Sequence, residues 1–171
     1  MNSVSLLTFC GIIASAILHV ALALPVVQAP AGRTPRIAGV WKLNAGKSHL
    51  PPARAGALEI RQYRLRPDGF LVGLLVTQDP QGGYHYLQFT AKSDGKDYPE
   101  FSDAILADWI AAGRQTPRMY SETIVDDDTT DWIDKANGRI TSRGQKIVSK
   151  DGRTLTVTVD NSPQTLVYDR Q

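Results

Sequence analysis

Five glycine-containing dipeptides recur along the chain at the positions where a β-meander needs its turns. They are Asp68-Gly69, Gly82-Gly83, Asp94-Gly95, Asn137-Gly138 and Asp151-Gly152. Type I′ hairpin turns require positive φ at both central residues, a conformation that glycine, asparagine and aspartate tolerate best. The runs that flank these dipeptides are rich in Val, Ile, Leu, Thr and Tyr, which favour strands. The pattern therefore predicts a mainly β protein built as an antiparallel meander.

The runs between the turns predict nine strands of similar length. The predicted strands are 39–43, 57–65, 70–78, 84–92, 118–125, 129–135, 139–149, 154–160 and 164–169. Residues 154–159 alternate in polarity and place Leu155 and Val157 on one face, which predicts a core side and a solvent side. Residues 70–76 are apolar on both faces, so this strand is expected to be covered on both sides. The first strand, 39–43, has no hairpin partner before it, so we expect it to pair with the last strand and close the sheet into a barrel.

One segment interrupts the meander with a helical pattern. Ser102 is the predicted N-cap and Gly113 the predicted stop, which gives an amphipathic helix at about 102–112. Its apolar stripe consists of Ile105, Leu106, Trp109 and Ile110. Burying each of these side chains is worth roughly 1.5 to 3 kcal/mol, so the stripe is expected to dock at an open end of the barrel. There it would act either as a plug that completes the core or as a lid over a ligand cavity.

The first 31 residues contain no Lys, Arg, Asp or Glu, and residues 4–20 form an apolar run. Small-x-small patterns follow and end at Ala23 and Ala31, with Ala29 as a further cleavage position. We interpret residues 1–31 as a signal peptide cut after Ala31, which leaves one domain at 32–171 without a membrane span. The protein would then be periplasmic or secreted. The alternative is an uncleaved N-terminal membrane anchor.

Composition argues against several classes of function. The chain has 19 Lys and Arg against 17 Asp and Glu, a net charge of +2 without a basic run, which disfavours nucleic acid as a partner. The one cysteine, Cys10, lies in the predicted leader, and the two histidines beyond it, His49 and His85, have no metal-binding spacing. The sequence also lacks a phosphate loop and a Gly-x-Ser-x-Gly motif. Neither a metal nor a cofactor is expected.

Gly39-Val40-Trp41 resembles the Gly-x-Trp of the first strand in lipocalin-like (calycin) β-barrels. The resemblance implies a barrel of 8 to 10 strands in which Trp41 closes the floor and packs against Arg170. The chain is more closely similar to a group of exported bacterial proteins of unassigned function. That similarity rests on residues 39–48, 90–99, 148–157 and 167–171. It carries no catalytic residues across.

A closed barrel of this kind predicts an exported protein that binds a small apolar or amphipathic molecule in its interior. The side chains expected to contact the ligand are Leu58, Ile60, Arg64, His85, Phe89, Trp109, Leu155 and Val157. An inward Arg64 would favour a ligand with an acid group. His85 shares the face of Leu87 and Phe89, so we expect it to be a polar contact in an apolar interior.

Two further functions are open on the sequence alone. A cofactor-free barrel enzyme, such as an isomerase, cyclase or hydratase, would use His85 and Glu122 as base and acid, with Tyr120 beside them. This requires the face of residues 118–125 that carries Tyr120 and Glu122 to point inward. An envelope scaffold module with a filled barrel would need no ligand. The sequence decides neither turnover nor oligomeric state.

Overall fold

The computed structural model describes residues 36–113 and 118–171, except for the side chains of Asp108 and Trp109. The elements of this part of the chain are β1 (Gly39–Leu43), β2 (Leu58–Leu65), β3 (Leu71–Gln78), β4 (Tyr84–Ala91), β5 (Tyr98–Ser102), α1 (Asp103–Ala112), β6 (Arg118–Ile124), β7 (Thr129–Ala136), β8 (Arg139–Val148), β9 (Thr154–Thr158) and β10 (Thr165–Arg170). Two short 3-10 turns, Ala45–Lys47 and Pro52–Arg54, lie between β1 and β2. The predicted signal peptide and the side chain of Trp109 lie outside the described residues.

The ten strands of the described residues form one closed antiparallel barrel in sequence order, and β1 pairs with both β2 and β10. Trp41 lies opposite Arg170 on β10 and opposite Arg61 on β2. Closure gives every strand of the barrel a paired neighbour on both sides, which reduces the aggregation hazard that an open sheet presents. The predicted barrel is therefore confirmed, and the predicted strands end within two residues of the observed ones.

Strand β5 was not predicted. Its Pro99 is a residue that normally argues against a strand, because proline has no N–H to donate. Two residue pairs, Tyr98 with Tyr120 and Pro99 with Met119, link β5 to β6. Because the ladder between β5 and β6 is so short, the absent N–H of Pro99 costs little. The other side of β5 pairs with β4.

The core fills the end of the barrel at which β1 begins, which we call the floor. Its buried side chains include Ile37, Trp41, Leu71, Leu155 and Tyr168. The Trp41 indole donates a hydrogen bond from Nε1 to the carbonyl oxygen of Ile37 at 2.7 Å, so the largest floor side chain is both packed and satisfied.

The bounds of helix α1 agree with the prediction, but its docking does not. Ser102 Oγ accepts a hydrogen bond from the Ile105 N–H at 3.1 Å, and Gly113 adopts the left-handed conformation that ends the helix. Ile105 is buried, whereas Leu106 is 37% and Ile110 82% exposed. The helix contacts β4 and β5, and Ile105 in its first turn is buried. Within the described residues, no helix is long and apolar enough to cross a membrane.

The outer face of β3 is also less covered than predicted. Val72 and Leu74 are half-buried, and Val76 is exposed. The residues of β3 that point inward are Leu71, Gly73 and Leu75, which pair across the sheet with interior residues of β2 and β4. The second apolar face of this strand therefore contributes to the barrel's outer surface.

Candidate ligand-binding cavity

A cavity of about 220 Å³ lies inside the barrel, between the floor and the end formed by residues 44–57 and 159–164. Its aromatic lining consists of Tyr63, Phe89, Tyr120 and Trp132, and its aliphatic lining of Leu75, Leu87, Val157, Val159 and Leu166. Its polar lining consists of Arg54, Arg61, Asp134, Lys146 and Gln164. An apolar pocket with a few convergent polar groups is the usual composition of a small-molecule site.

The aromatic wall is built around Phe89. Its ring stacks on Tyr120, with ring centroids 3.9 Å apart and planes inclined by 23°. The centroid of the Tyr63 ring lies 6.3 Å from that of Phe89. Gly73 lies opposite Phe89 across the β3–β4 ladder. A Cβ at Gly73 would lie 2.5 Å from Phe89 Cε1, so the glycine leaves the space that the ring occupies. The result is a flat aromatic surface on one side of the cavity.

The first polar cluster joins β2 to β10. The Arg61 Nε donates to Glu59 Oε1 at 2.6 Å, the Tyr168 hydroxyl donates to the same oxygen at 2.7 Å, and Arg54 pairs with Glu59 Oε2. Burial favours a higher pKa for Glu59, but the Arg61 charge, the Tyr168 hydrogen bond and Arg54 outweigh it and lower the pKa to about 2. Two guanidinium groups therefore share one carboxylate, which leaves an excess positive charge at the cavity wall.

The second polar cluster is neutral overall. The Lys146 ammonium donates to the Tyr120 hydroxyl at 2.5 Å and to Glu122 Oε2 at 2.6 Å, and the Ser93 hydroxyl donates to Glu122 Oε1 at 2.5 Å. Burial favours a higher pKa for Glu122, but the Lys146 charge and the hydrogen bonds from Lys146, Ser93 and Tyr120 together outweigh it, so the pKa lies below its usual value. The ammonium also lies 5.2 Å from the ring centroid of Tyr120. Because each charge is paired, this cluster holds the wall together and has no spare charge for a ligand.

The third polar cluster pairs two carboxyl groups. Burial, then the neighbouring Asp134, raises the pKa of Glu100 to about 8, and burial likewise raises the pKa of Asp134. The pair therefore shares a proton that resides on Glu100 at neutral pH. Asp134 also accepts a hydrogen bond from the Ser142 hydroxyl at 2.9 Å. Beside Asp134 on β7, the buried Trp132 Nε1 has no hydrogen-bond partner among the described residues.

The three predicted ligand contacts on β2 point away from the barrel interior. Leu58 and Ile60 are 59% and 48% exposed, and Arg64 is also exposed. Trp41 pairs with Arg61, and cross-strand partners share a face, so an inward Trp41 places Glu59, Arg61 and Tyr63 inside. The prediction was wrong because it placed the more apolar face of β2, with Leu58 and Ile60, inside. The opposite face lies inside instead, where Glu59 and Arg61 pair with each other.

The other predicted contacts divide between cavity, core and rim. Phe89 and Val157 line the cavity, and Leu155 is buried in the core cluster without being part of the cavity lining. His85 lies on the same face of β4 as Phe89, but near the exposed start of the strand. Its Nδ1 is 2.8 Å from Asp103 Oδ2 and its Nε2 is 3.3 Å from Asp79 Oδ2.

The predicted proton-transfer pair of His85 and Glu122 is not formed. Tyr120 and Glu122 do point inward and are joined by a hydrogen bond of 2.6 Å. The Glu122 carboxylate is occupied by Lys146, Tyr120 and Ser93, whereas the His85 side chain is 54% exposed at the rim. Within the described residues, no group of three or more His, Cys, Asp or Glu side chains is placed to hold a metal ion.

Arg170 packs on Trp41 at the floor of the barrel. The Arg170 Cζ lies 4.1 Å from the centroid of the Trp41 ring. Its guanidinium donates to the carbonyl oxygens of Arg36 and Ala38, both at 2.8 Å, and of Gly152 at 2.5 Å. One side chain thus ties the chain before β1 to the turn between β8 and β9.

No protein-family model matches this chain, and no curated protein matches it. Among solved structures, it is similar to an asparagine-to-alanine mutant of the fluorescent protein UnaG, with a TM-score of 0.52 and 14% identity over 80% of this chain and 96% of that one. Wild-type UnaG gives a TM-score of 0.49 at 14% identity, over 80% and 98% of the two chains. The chain therefore shares the closed antiparallel β-barrel fold of UnaG.

Proposed function

We propose that the barrel binds one small amphipathic acid in its interior. The observation that carries this proposal is the excess positive charge of Arg54 and Arg61 over Glu59 in the wall of an aromatic cavity. A guanidinium binds a carboxylate through parallel hydrogen bonds, which are stronger than hydrogen bonds between neutral groups. The strand pattern predicts that an inward Arg64 would favour an acid group; the interior position of Arg61 supports giving this role to Arg61 instead.

The volume of the cavity limits the size of the proposed ligand. An apolar cavity of about 150 Å³ holds benzene, and drug-sized ligands occupy cavities of about 300 Å³ or more. The present cavity, about 220 Å³, is intermediate. It fits one aromatic ring with a short acidic side chain, and the stacked Phe89 and Tyr120 offer that ring a flat surface.

The ligand assignment is tested by calorimetric titration of the purified protein with 3-phenylpropanoate. Charge-assisted hydrogen bonds are worth about 1.5 to 3 kcal/mol, so we expect Arg61→Gln to weaken binding by about 10- to 100-fold. Arg64→Gln is the matched control, because Arg64 lies on the same strand and points outward. Equal dissociation constants for the two variants, or no binding by the wild type, would overturn the proposal.

We further propose that the protein meets this ligand outside the cytoplasm. The support is the uncharged leader of residues 1–31, with its apolar run and small residues at the cleavage position. Expression in bacteria followed by N-terminal sequencing tests this part, with Gly32 as the expected first residue. Recovery of an intact leader in the membrane fraction would favour the anchored alternative.

A further inference from the structure

The cavity has a second polar region, and the sheet order places it opposite the first. In the closed barrel, β2 and β7 are five strands apart in both directions around the ring. Arg61 of β2 and Trp132 and Asp134 of β7 all line the cavity. The two polar regions therefore face each other across the lumen, with Phe89 and Val157 on the walls between them.

Trp132 supplies the donor of this second region. Its side chain is 9% exposed, and its Nε1 has no hydrogen-bond partner among the described residues. Buried indole N–H groups normally have an acceptor. Trp41, the other tryptophan whose side chain is described, follows this rule and donates to Ile37. Because Trp132 lines the cavity, a ligand there can supply the acceptor that this donor lacks among the described residues.

Asp134 supplies an acceptor next to that donor. It lies two residues beyond Trp132 on the same face of β7, a separation of about 7 Å along the strand. Its carboxylate receives the Ser142 hydroxyl and retains further lone pairs, since a carboxylate has about four acceptor positions. A carbonyl on the ligand could accept a hydrogen bond from Trp132, but it has no hydrogen to donate to Asp134 and its lone pairs would repel those of the carboxylate. A hydroxyl both donates and accepts, so it suits the two residues together.

We infer that the ligand is a hydroxylated aryl acid, with its carboxylate at Arg61 and its hydroxyl between Trp132 and Asp134. The inference rests on the proposed function and adds a second polar group at a defined position. The aromatic ring lies between the two ends, against Phe89.

Three matched compounds test the inference: 3-phenylpropanoate, 3-(4-hydroxyphenyl)propanoate and 3-(4-methoxyphenyl)propanoate. In calorimetric titrations of the wild type, we expect the hydroxyl to tighten binding about tenfold, which corresponds to one hydrogen bond of ordinary strength. The methoxy compound cannot donate to Asp134 and is expected to bind no better than the unsubstituted acid. In Trp132→Phe and Asp134→Asn, the advantage of the hydroxyl should fall below about threefold.

The NMR signals of the indole N–H groups give a second measurement. It uses the wild type, so it does not depend on how well a variant folds. With ¹⁵N-labelled tryptophan, the Trp132 signal should move when the hydroxyl compound is added and much less with 3-phenylpropanoate. The Trp41 signal is the internal control, because its N–H is already bonded to Ile37.

The outcomes separate this inference from the function on which it rests. If none of the three acids binds, both fail. If the acids bind and Arg61→Gln weakens them, but the hydroxyl neither tightens binding nor moves the Trp132 signal, the second contact is wrong and the acid-binding function stands. A tighter hydroxyl compound whose advantage persists in both β7 variants also overturns the inference.

Discussion

At Gly73 and Gly144, the barrel wall has no space for a side chain. A Cβ at Gly73 would overlap the Phe89 ring, whereas a Cβ at Gly144 would overlap the backbone carbonyl of Thr158 and lie 2.8 Å from its carbon. A ring can turn by a small amount, but a paired strand cannot move without breaking its hydrogen bonds. The same substitution should therefore cost more at Gly144.

We expect Gly144→Ala to lower the free energy of unfolding by about 3 kcal/mol and Gly73→Ala by about 1 to 2 kcal/mol. Gly73→Ala should also weaken ligand binding, because Phe89 forms the cavity wall. Gly46→Ala is the control, since the nearest atom to its Cβ would be 3.5 Å away. Urea denaturation of the three variants measures the order, and equal losses at Gly73 and Gly144 would contradict it.

Glu100 gives the protein a pH dependence of unusual sign for a carboxyl group. Its folded pKa of about 8 lies above the ordinary 4.5, because burial and Asp134 disfavour its ionised form. Between these two pH values the folded chain holds a proton that the unfolded chain has lost. The contribution of Glu100 is therefore complete below pH 4.5 and is lost as the pH rises to about 8.

We expect Glu100→Gln to remove this dependence, because the amide stays neutral and can still donate to Asp134. The free energy of unfolding of the wild type should fall relative to the variant by up to about 1.4 kcal/mol per pH unit between pH 5 and 8. Denaturant titrations at several pH values measure the difference. Parallel profiles for the two proteins would show that Glu100 ionises normally.

Helix α1 is fixed to the barrel by its first turn. Asp103 accepts hydrogen bonds from the Tyr86 N–H and from the His85 ring, while the last turn leaves Ile110 exposed. The hydrogen bonds to Asp103 and then Asp79 raise the pKa of His85 above its usual value. A protonated His85 therefore binds both carboxylates, and this contribution is present below pH 6.5 and is lost as the pH rises through the folded pKa.

We expect the amides of α1 to exchange faster with solvent above neutral pH, after correction for intrinsic rates, because neutral His85 has lost its charge and can donate to only one of Asp103 and Asp79. His85→Gln should remove this pH dependence. His49→Gln is the control, since His49 is also exposed but lies at the loop before β2. Hydrogen-exchange mass spectrometry between pH 5.5 and 8 measures the effect, and an unchanged pH dependence in His85→Gln would refute it.

At the scale of the whole molecule, the closure of the barrel depends on contacts between its two chain ends. Arg170 donates to carbonyl oxygens of Arg36, Ala38 and Gly152 and covers Trp41. A guanidinium can satisfy several acceptors in one plane, whereas an ammonium is a point donor. The closure therefore needs arginine at this position rather than any cation.

We expect Arg170→Lys to lower the free energy of unfolding by about 1 to 3 kcal/mol, because at least one partly buried carbonyl loses its donor. The emission of Trp41 should change as well. Arg153→Lys is the matched control, since the Arg153 side chain is exposed in the adjacent turn. If urea denaturation shows the same stability for both variants, the guanidinium geometry does not matter.

Local chemistry in the sequence was sufficient for the elements and their order. The glycine-containing turns and the strand-forming runs beside them predicted nine of the strands, and Ser102 and Gly113 predicted both ends of α1. Strand β5 was missed because proline normally argues against a strand. The sequence does not reveal that the ladder between β5 and β6 consists of only two residue pairs. Turns and helix caps depend on the conformational preferences of a few neighbouring residues, so they can be predicted from the sequence alone.

The faces of the strands and the contents of the cavity were decided by the tertiary structure. On β2, apolarity favoured Leu58 and Ile60 as interior residues, but the pairing of Trp41 with Arg61 placed the charged set inside. That arrangement is stable because Glu59 and Arg61 find partners on β10 and in the loop before β2. Tyr168, one of the partners of Glu59, lies 109 residues away in the chain, so only the closed barrel could show which residues meet in its interior.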